Sequence, residues 1–245
     1  MVDQPVPGAN APDVPVAPRP AASLLLVREA DRGATLEVLM GRRPDNARFM
    51  PGIYVFPGGA LDREDAGRAS GLLPADAAPP HLLRTAAADE AGGLIWTALR
   101  ETWEETGLLI GAPADDGGAP TPAPDAPACL AADAYRAASL RPADGGLHYV
   151  ARAITPPISP IRFDTRFFLV DAAAAHGEPA ATGELPEVLW MPVADALASP
   201  KVRGVSKFVL RHVLELLAAP QRLSDADRAV PRFTYEGEER VVTME

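Results

Sequence analysis

The sequence predicts an α+β domain. Dense apolar runs predict strands at 21–29, 35–43 and 162–170. An apolar stripe at helical spacing predicts a helix that ends near Gly107. Strands and helices do not alternate regularly along the chain, which favours an α+β or α/β/α sandwich over a doubly wound parallel sheet. We expect one domain at 21–222.

The N-terminal half contains two strands, a loop and the clearest helix. The runs "AASLLLVRE" (21–29) and "TLEVLMGRR" (35–43) are joined by a polar turn at Asp31–Gly33. A short β-rich core follows at Ile53–Phe56. The segment after it is rich in Ala, Pro, Asp and Gly, and we expect one helical piece in it at His81–Asp89. Helical periodicity then resumes in "GLIWTALRETWEETGLL".

The C-terminal half mixes short strands with helices. An Ala/Pro/Gly stretch at 112–127 predicts a flexible loop. The elements expected after it are a helix at Cys129–Ser139, strands at Leu147–Ile154, 162–170 and 187–193, and helices at Ala194–Ala198 and Val205–Ala218. Residues 1–20 and 223–245 are expected to be tails, the first of them disordered.

Composition excludes several classes of function. With 245 residues and a net charge of −10, the chain is unlike proteins that hold nucleic acid on a broad basic surface. A single cysteine, Cys129, excludes intrachain disulfides and multi-cysteine zinc sites. No apolar run approaches a membrane span, and the acidic, proline-rich start is unlike a secretory signal. We expect a cytoplasmic protein that binds a small molecule and can form a homodimer.

The stretch "RETWEETGLL" (100–109) places Glu101, Glu104 and Glu105 on one helix face without a lysine. Like charges at this spacing destabilise a helix by a few tenths of a kcal/mol. A solvated acidic face is the commoner explanation. A site for Mg²⁺ or Mn²⁺ is the alternative, because these ions prefer oxygen ligands and remove the repulsion. Periodicity leaves both interpretations open.

The same residues resemble the second half of the Nudix box. The pattern is Arg-Glu, an apolar residue, any residue, Glu-Glu, any residue, Gly, with Thr102 in the first apolar slot. The first half, a glycine followed after five residues by an acid, is found upstream in "FPGGALDRED" (56–65). Asp65 stands there in place of the expected glutamate. Thirty-four residues (66–99) then precede Arg100 where the pattern has seven, so about 27 are inserted.

This split box is similar to a Nudix subgroup that includes mammalian peroxisomal coenzyme A and acyl-CoA diphosphatases. The stretches "RFMPGIYVFPGG", "RFDTRFFL" and "LWMP" also resemble that subgroup. The resemblance implies a Nudix fold, a mixed sheet between helices with an insertion at 66–93. It further implies Mg²⁺-dependent hydrolysis of a diphosphate. The C-terminal "VVTME" lacks the Ser-Lys-Leu peroxisomal address.

The resemblance also implies roles for site residues. Metal ligands would be Glu101, Glu104 and Glu105 with the Gly59 backbone carbonyl, and Asp65 is a further candidate. Arg100 would hold a glutamate in place through charge-assisted hydrogen bonds. The general base would be Glu101 or, from a later loop, Glu184 or Glu187. Asp62 and Glu64 are stand-ins for the shorter Asp65.

Four arginines are candidates for binding the anionic substrate: Arg42, Arg43, Arg48 and Arg166. Phe49, Trp103, Phe167 and Phe168 are candidates for a base pocket, although core packing is the better prediction for them. Two alternatives to a coenzyme A substrate stay open. One is a diphosphatase for nucleoside diphosphate sugars or dinucleotides such as ADP-ribose or NADH, and the other is a non-catalytic nucleotide sensor.

Overall fold

The computed structural model describes residues 16–47, 50–74, 76–114, 129–142, 146–236 and 239–245. Within these residues a nine-stranded sheet has the order β10-β2-β1-β8-β7-β11-β12, with β3 beside β2 and β4 beside β1. The β1–β8 and β7–β11 pairs are parallel, and the other pairs are antiparallel. The strands are β1 (Arg19–Ala30), β2 (Thr35–Arg42), β3 (Tyr54–Val55), β4 (Gly58–Ala60), β7 (His148–Ile154), β8 (Phe163–Asp171), β10 (Glu187–Pro192), β11 (Pro231–Glu236) and β12 (Glu239–Met244). The mixed sheet confirms the predicted α+β class.

Six helices and a small second sheet complete the described part of the fold. The helices are α1 (Asp65–Leu72), α2 (Pro80–Leu83), α3 (Ala88–Thr106), α4 (Leu130–Ala137), α5 (Val193–Ala198) and α6 (Gly204–Leu217). The second sheet has the order β6-β5-β9, with β5 at Leu109–Pro113, β6 at Leu140–Pro142 and β9 at Ala175–His176. None of the helices in the described ranges is long and apolar enough to span a membrane.

Both faces of the large sheet are buried, which explains why β1 is apolar at successive positions. Leu24 and Leu26 face α3, while Leu25 and Val27 face α5 and α6. The three leucines are fully buried, and each contributes roughly 1.5–3 kcal/mol by leaving water. The sheet is therefore a rigid layer against which α3 is positioned.

The insertion between the two halves of the predicted motif is helical at both ends. It contains most of α1, all of α2 and the first turns of α3. Ala69 and Leu72 of α1 pack with Trp96 of α3 and Tyr135 of α4 in a separate apolar cluster. The single helical piece predicted at His81–Asp89 is thus divided between α2 and the start of α3.

Two predicted tails need correction. The segment 223–245 contains β11 and β12, which extend the large sheet, because Pro231 and Phe233 bury their side chains against it. At the other end β1 begins at Arg19, inside the predicted N-terminal tail, and residues 1–15 lie outside the described ranges. The loop predicted at 112–127 also lies mostly outside them. The short strands β5, β6 and β9 and the helix α1 were not predicted.

Candidate active site

The C-terminal half of α3 carries the acidic side chains. Oxygen atoms of Glu101, Glu105 and Glu184 lie within 4.8 Å of one another. Glu105 is buried, Glu101 is mostly buried and Glu184 is exposed. The helix ends at Thr106. The next residue, Gly107, adopts a left-handed conformation (φ 77°) and donates its N–H to the Trp103 carbonyl oxygen at 2.7 Å. This stop keeps the glutamates in the last two turns, next to the sheet.

Two glycines bring β4 against these carboxylates. The Gly58 N–H donates to Glu105 Oε2 at 2.9 Å. A Cβ atom at Gly58 would overlap the Ala22 carbonyl oxygen of β1, and one at Gly59 would overlap the Glu101 carboxylate. Both positions therefore require glycine for close approach, one to backbone and the other to a side chain.

A loop before β10 brings in the third carboxylate. Leu185 is fully buried and fits against Gly41 of β2, where a Cβ atom would overlap its side chain. Thr182 Oγ1 donates to the carbonyl oxygen of Glu105 at 3.2 Å. These contacts tie the loop to the sheet and to α3, so Glu184 is held beside the other two glutamates.

Arg100 links the glutamates to the insertion. Its Nη1 donates to Glu101 Oε1 at 3.0 Å and to Glu104 Oε2 at 2.9 Å. Its Nη2 and Nε lie 3.0 and 3.3 Å from Oδ2 and Oδ1 of Asp65, which is completely buried. Asp65 thus faces Arg100, and the stand-in Asp62 lies farther away, at 3.8 Å from Nη2. Glu64 pairs with Arg68 instead.

Two of these carboxylates, those of Glu101 and Glu105, have raised pKa values. Burial, followed by the repulsion from Glu104 and Glu184, raises the pKa of Glu101 to about 7, against a lowering by Arg100. Burial raises the pKa of Glu105 to about 8, with further repulsion from Glu101 and Glu184, while the Gly58 N–H and Arg43 lower it. A cation placed between these groups would remove both the repulsion and much of the cost of burial.

The donor set fits a hard divalent cation. Three carboxylates converge without an imidazole or thiolate among them, and oxygen-only sets suit Mg²⁺ or Mn²⁺. Glu101 and Glu105 of the predicted metal ligands belong to this group. Glu104 is partly exposed and shares Arg100 Nη1 with Glu101. The role of the Gly59 carbonyl oxygen stays a prediction.

The two candidate bases on the later loop occupy different surroundings. Glu184 belongs to the carboxylate group, whereas Glu187, at the start of β10, accepts a hydrogen bond from the Tyr54 hydroxyl at 2.8 Å. Arg42 lies opposite Glu187 across the β2–β10 pair and forms an ion pair with Asp45. The structure thus separates the two glutamates that the sequence leaves equivalent.

Among the predicted substrate arginines, Arg43 lies near the site, since its charge acts on the Glu105 carboxylate. Arg166 requires correction. It is 2% exposed, its Nη1 lies 2.9 Å from Asp164 Oδ2, and its Nη2 donates to the Thr85 carbonyl oxygen at 3.3 Å. An arginine enclosed in this way stabilises the sheet and does not face a substrate. Arg48 lies outside the described residues.

The aromatic candidates for a base pocket lie in different surroundings. Phe167 and Phe168 are buried on opposite faces of the sheet, in agreement with the core prediction. Trp103 packs beside the cluster of α1 and α4, and Phe49 lies outside the described residues. Sequence reasoning missed Gly41 and Thr97, which contacts Asp65. For Gly41 the sequence did contain a signal, because a glycine inside a predicted strand indicates a close approach by another segment.

Comparison with known proteins identifies the family. No protein-family model and no curated protein matches the chain. A solved Nudix hydrolase from Alicyclobacillus acidocaldarius is 35% identical, with 85% of this chain and 96% of that chain covered and a TM-score of 0.65. A MutT protein from Bacillus halodurans is 14% identical (93% and 97% covered, TM-score 0.46). The Nudix domain of Shewanella oneidensis NrtR, solved with ADP ribose, is 15% identical (82% and 90% covered, TM-score 0.45). From the first of these likenesses we conclude that the chain belongs to the Nudix hydrolase family, enzymes that act on phosphoanhydride bonds.

Proposed function

We propose that the chain hydrolyses the diphosphate bond of coenzyme A or an acyl-CoA, releasing 3′,5′-ADP and phosphopantetheine or its acylated form. The observation that carries the reaction class is the convergence of Glu101, Glu105 and Glu184 within 4.8 Å at the end of α3. This arrangement matches what an Mg²⁺-dependent diphosphatase requires, namely a set of oxygen ligands, and the exposed Glu184 puts the group in reach of solvent.

Glu101 and Glu105 would hold Mg²⁺ or Mn²⁺, and Glu104 and the Gly59 carbonyl oxygen are further candidate ligands. Such an ion supplies charge compensation for the diphosphate and activation of a water molecule. The Gly58 N–H orients Glu105, and Arg100 orients Glu101 and Glu104. These contacts set the carboxylates in place before a substrate arrives, which lowers the reorganisation needed for reaction.

The general base is best assigned to Glu184. Its side chain is exposed beside the buried carboxylates, so it can accept a proton from a water molecule that reaches the group from solvent. Glu187 is less suited, because one of its oxygens already accepts the Tyr54 hydroxyl. Glu101 is the other candidate within the group.

The choice of coenzyme A is supported by the divided motif and by the "RFMPGIYVFPGG" segment, both of which resemble the coenzyme A subgroup. One cation at the end of β2 also favours a substrate that carries phosphate. Arg43 directly follows this strand and is close enough to influence Glu105 electrostatically. An arginine at this position suits paired hydrogen bonds to a phosphate group.

A substrate panel tests the proposal. The purified protein is incubated with Mg²⁺ and coenzyme A, acetyl-CoA, NADH, ADP-ribose or ADP-glucose, and the products are identified by mass spectrometry. Release of 3′,5′-ADP and phosphopantetheine supports the coenzyme A assignment. Turnover of only the sugar and dinucleotide compounds would refute that assignment. Tight binding of one compound without turnover would refute catalysis in favour of a sensor.

Three variants test the site assignment. Glu105→Gln keeps the size of the side chain and its acceptor for Gly58, and we expect kcat to fall by about 100-fold or more. Glu184→Gln is expected to lower kcat, while Glu187→Gln should change it by no more than a few fold. Asp89→Asn, at the exposed first turn of α3, is the matched control. Full activity of a folded Glu105→Gln protein would contradict the metal assignment.

A further inference from the structure

The shorter acid at position 65 contacts Arg100 next to a tight contact between α1 and α3. Gly93 of α3 is the point of contact, and a Cβ atom there would lie 3.0 Å from Leu61 and 3.2 Å from the backbone of Ala66. Asp65 immediately precedes Ala66, so the close approach moves its carboxylate toward α3. The missing methylene group is thereby offset by packing of the insertion.

A second residue of α3 then holds that carboxylate. Thr97 is completely buried, and its Oγ1 lies 2.9 Å from Asp65 Oδ2 and 2.9 Å from the Gly93 carbonyl oxygen. A hydroxyl group has one proton and can donate it fully to one acceptor at a time. The carboxylate is the stronger acceptor, because hydrogen bonds to charged groups are about twice as strong as neutral ones. Thr97 therefore donates to Asp65.

The effect of Thr97 passes through Arg100 to the glutamates. Asp65 accepts hydrogen bonds from Nε and Nη2 of Arg100, and Nη1 donates to Glu101 and Glu104. Because the guanidinium group is planar, fixing one edge also fixes the direction of the remaining nitrogen. Thr97 stands one turn before Arg100 on the same helix, and its hydroxyl, together with the Asp62 N–H at 3.0 Å from Asp65 Oδ2, holds the carboxylate that orients the guanidinium group.

We propose that Thr97 is a positioning residue of this enzyme, which sets the Glu101 and Glu104 carboxylates for metal binding by holding Asp65 against Arg100. This inference rests on the proposed function. It concerns a residue outside both halves of the sequence motif, and it explains how an aspartate with shorter reach serves in place of the expected glutamate.

Mn²⁺ binding to the purified protein, followed by electron paramagnetic resonance of the free ion, tests this role without a substrate. Thr97→Val removes the donor at nearly constant volume, and we expect the Mn²⁺ dissociation constant to rise at least about tenfold. Thr97→Ser keeps the hydroxyl and should stay within about twofold of the parent. The matched control is Thr102→Val, since Thr102 is equally buried on α3 but donates only to the Ala98 carbonyl oxygen at 2.7 Å.

A structural role alone would lower the melting temperature of Thr97→Val and leave its Mn²⁺ affinity unchanged, and that result would overturn the proposal. If this variant does not fold, Thr97→Cys, whose thiol is a weak donor, provides the same comparison. Absence of Mn²⁺ binding by the parent would overturn both this proposal and the metal requirement. Parent protein that binds Mn²⁺ but hydrolyses none of the diphosphates would refute the proposed function alone.

Discussion

Substitution of Gly59 should separate activity from stability. A Cβ atom at this position would overlap Oε1 and Cδ of Glu101, the far end of a flexible side chain. In Gly59→Ala the carboxylate must rotate away, while the β4–β1 pairing can stay intact. Gly58→Ala should instead lower stability. Its Cβ atom would overlap the backbone of Ala22 and Ser23, and its φ of 154° disfavours a side chain.

The expected magnitudes differ accordingly. Displacement of a reacting group by about 1 Å costs on the order of 100-fold in rate, so kcat of Gly59→Ala should fall by about that factor. Its free energy of unfolding should stay within about 1 kcal/mol of the parent, since removal of a glycine restricts the unfolded chain and offsets part of the strain. Gly58→Ala should lose roughly 1–3 kcal/mol through overpacking.

The assay combines diphosphate turnover with thermal unfolding. For a chain of this size 1 kcal/mol corresponds to roughly 2–4 °C, so Gly59→Ala should melt within about 4 °C of the parent and Gly58→Ala roughly 2–12 °C lower. Gly67→Ala in α1 is the control, because no atom lies within 4 Å of the added methyl group. It should keep full activity and gain up to about 1 kcal/mol as a helix substitution.

Two results would refute this reasoning. Activity of Gly59→Ala within twofold of the parent would mean that the Glu101 carboxylate does not lie against Gly59 in the working enzyme. A Gly59→Ala protein that loses several kcal/mol of stability would mean that Glu101 cannot move aside. Both outcomes are visible in the same pair of measurements.

Two further predictions concern stability. Burial and then Arg228 lower the pKa of His81 to about 4, so the imidazole is protonated first in the unfolded chain, where its pKa is about 6.5. The contribution of His81 to the free energy of unfolding should therefore fall by roughly 1–3 kcal/mol between pH 6.5 and 4. The raised pKa values of Glu101 and Glu105 act in the opposite direction, so this contribution is measured as the difference between the parent and His81→Gln. In urea titrations the parent should lose that amount of stability relative to His81→Gln over this pH range, and a constant difference between the two proteins would contradict this origin. The Tyr135 hydroxyl contacts both N and O of Ile110 at 3.0 and 3.1 Å, so Tyr135→Phe should lose roughly 1–3 kcal/mol by leaving a buried N–H unpaired. A melting temperature unchanged from the parent would mean that water replaces the hydroxyl.

The division between predictable and unpredictable elements follows from the range of the interactions involved. Strands β1 and β2 and helices α3 and α6 were predicted within a few residues, because their apolar patterns and the Gly107 stop are local signals. The β11–β12 hairpin was missed, since its place in the fold is set by pairing with the distant strand β7 at the sheet edge. The small sheet of β5, β6 and β9 depends on residues far apart in sequence in the same way.

The sequence by itself determined the acidic face of α3 and its link with the glycines and Asp65 across the insertion, because helix spacing and the residue types of a motif are readable in one dimension. It left Glu184 and Glu187 equivalent, and it proposed Arg166 as a phosphate contact. The folded chain distinguishes the two glutamates, because Leu185 is buried against Gly41 and directs Glu184 toward Glu101 and Glu105. It also encloses Arg166 beside Asp164. Such outcomes depend on which distant segments touch, and that is decided by packing in three dimensions.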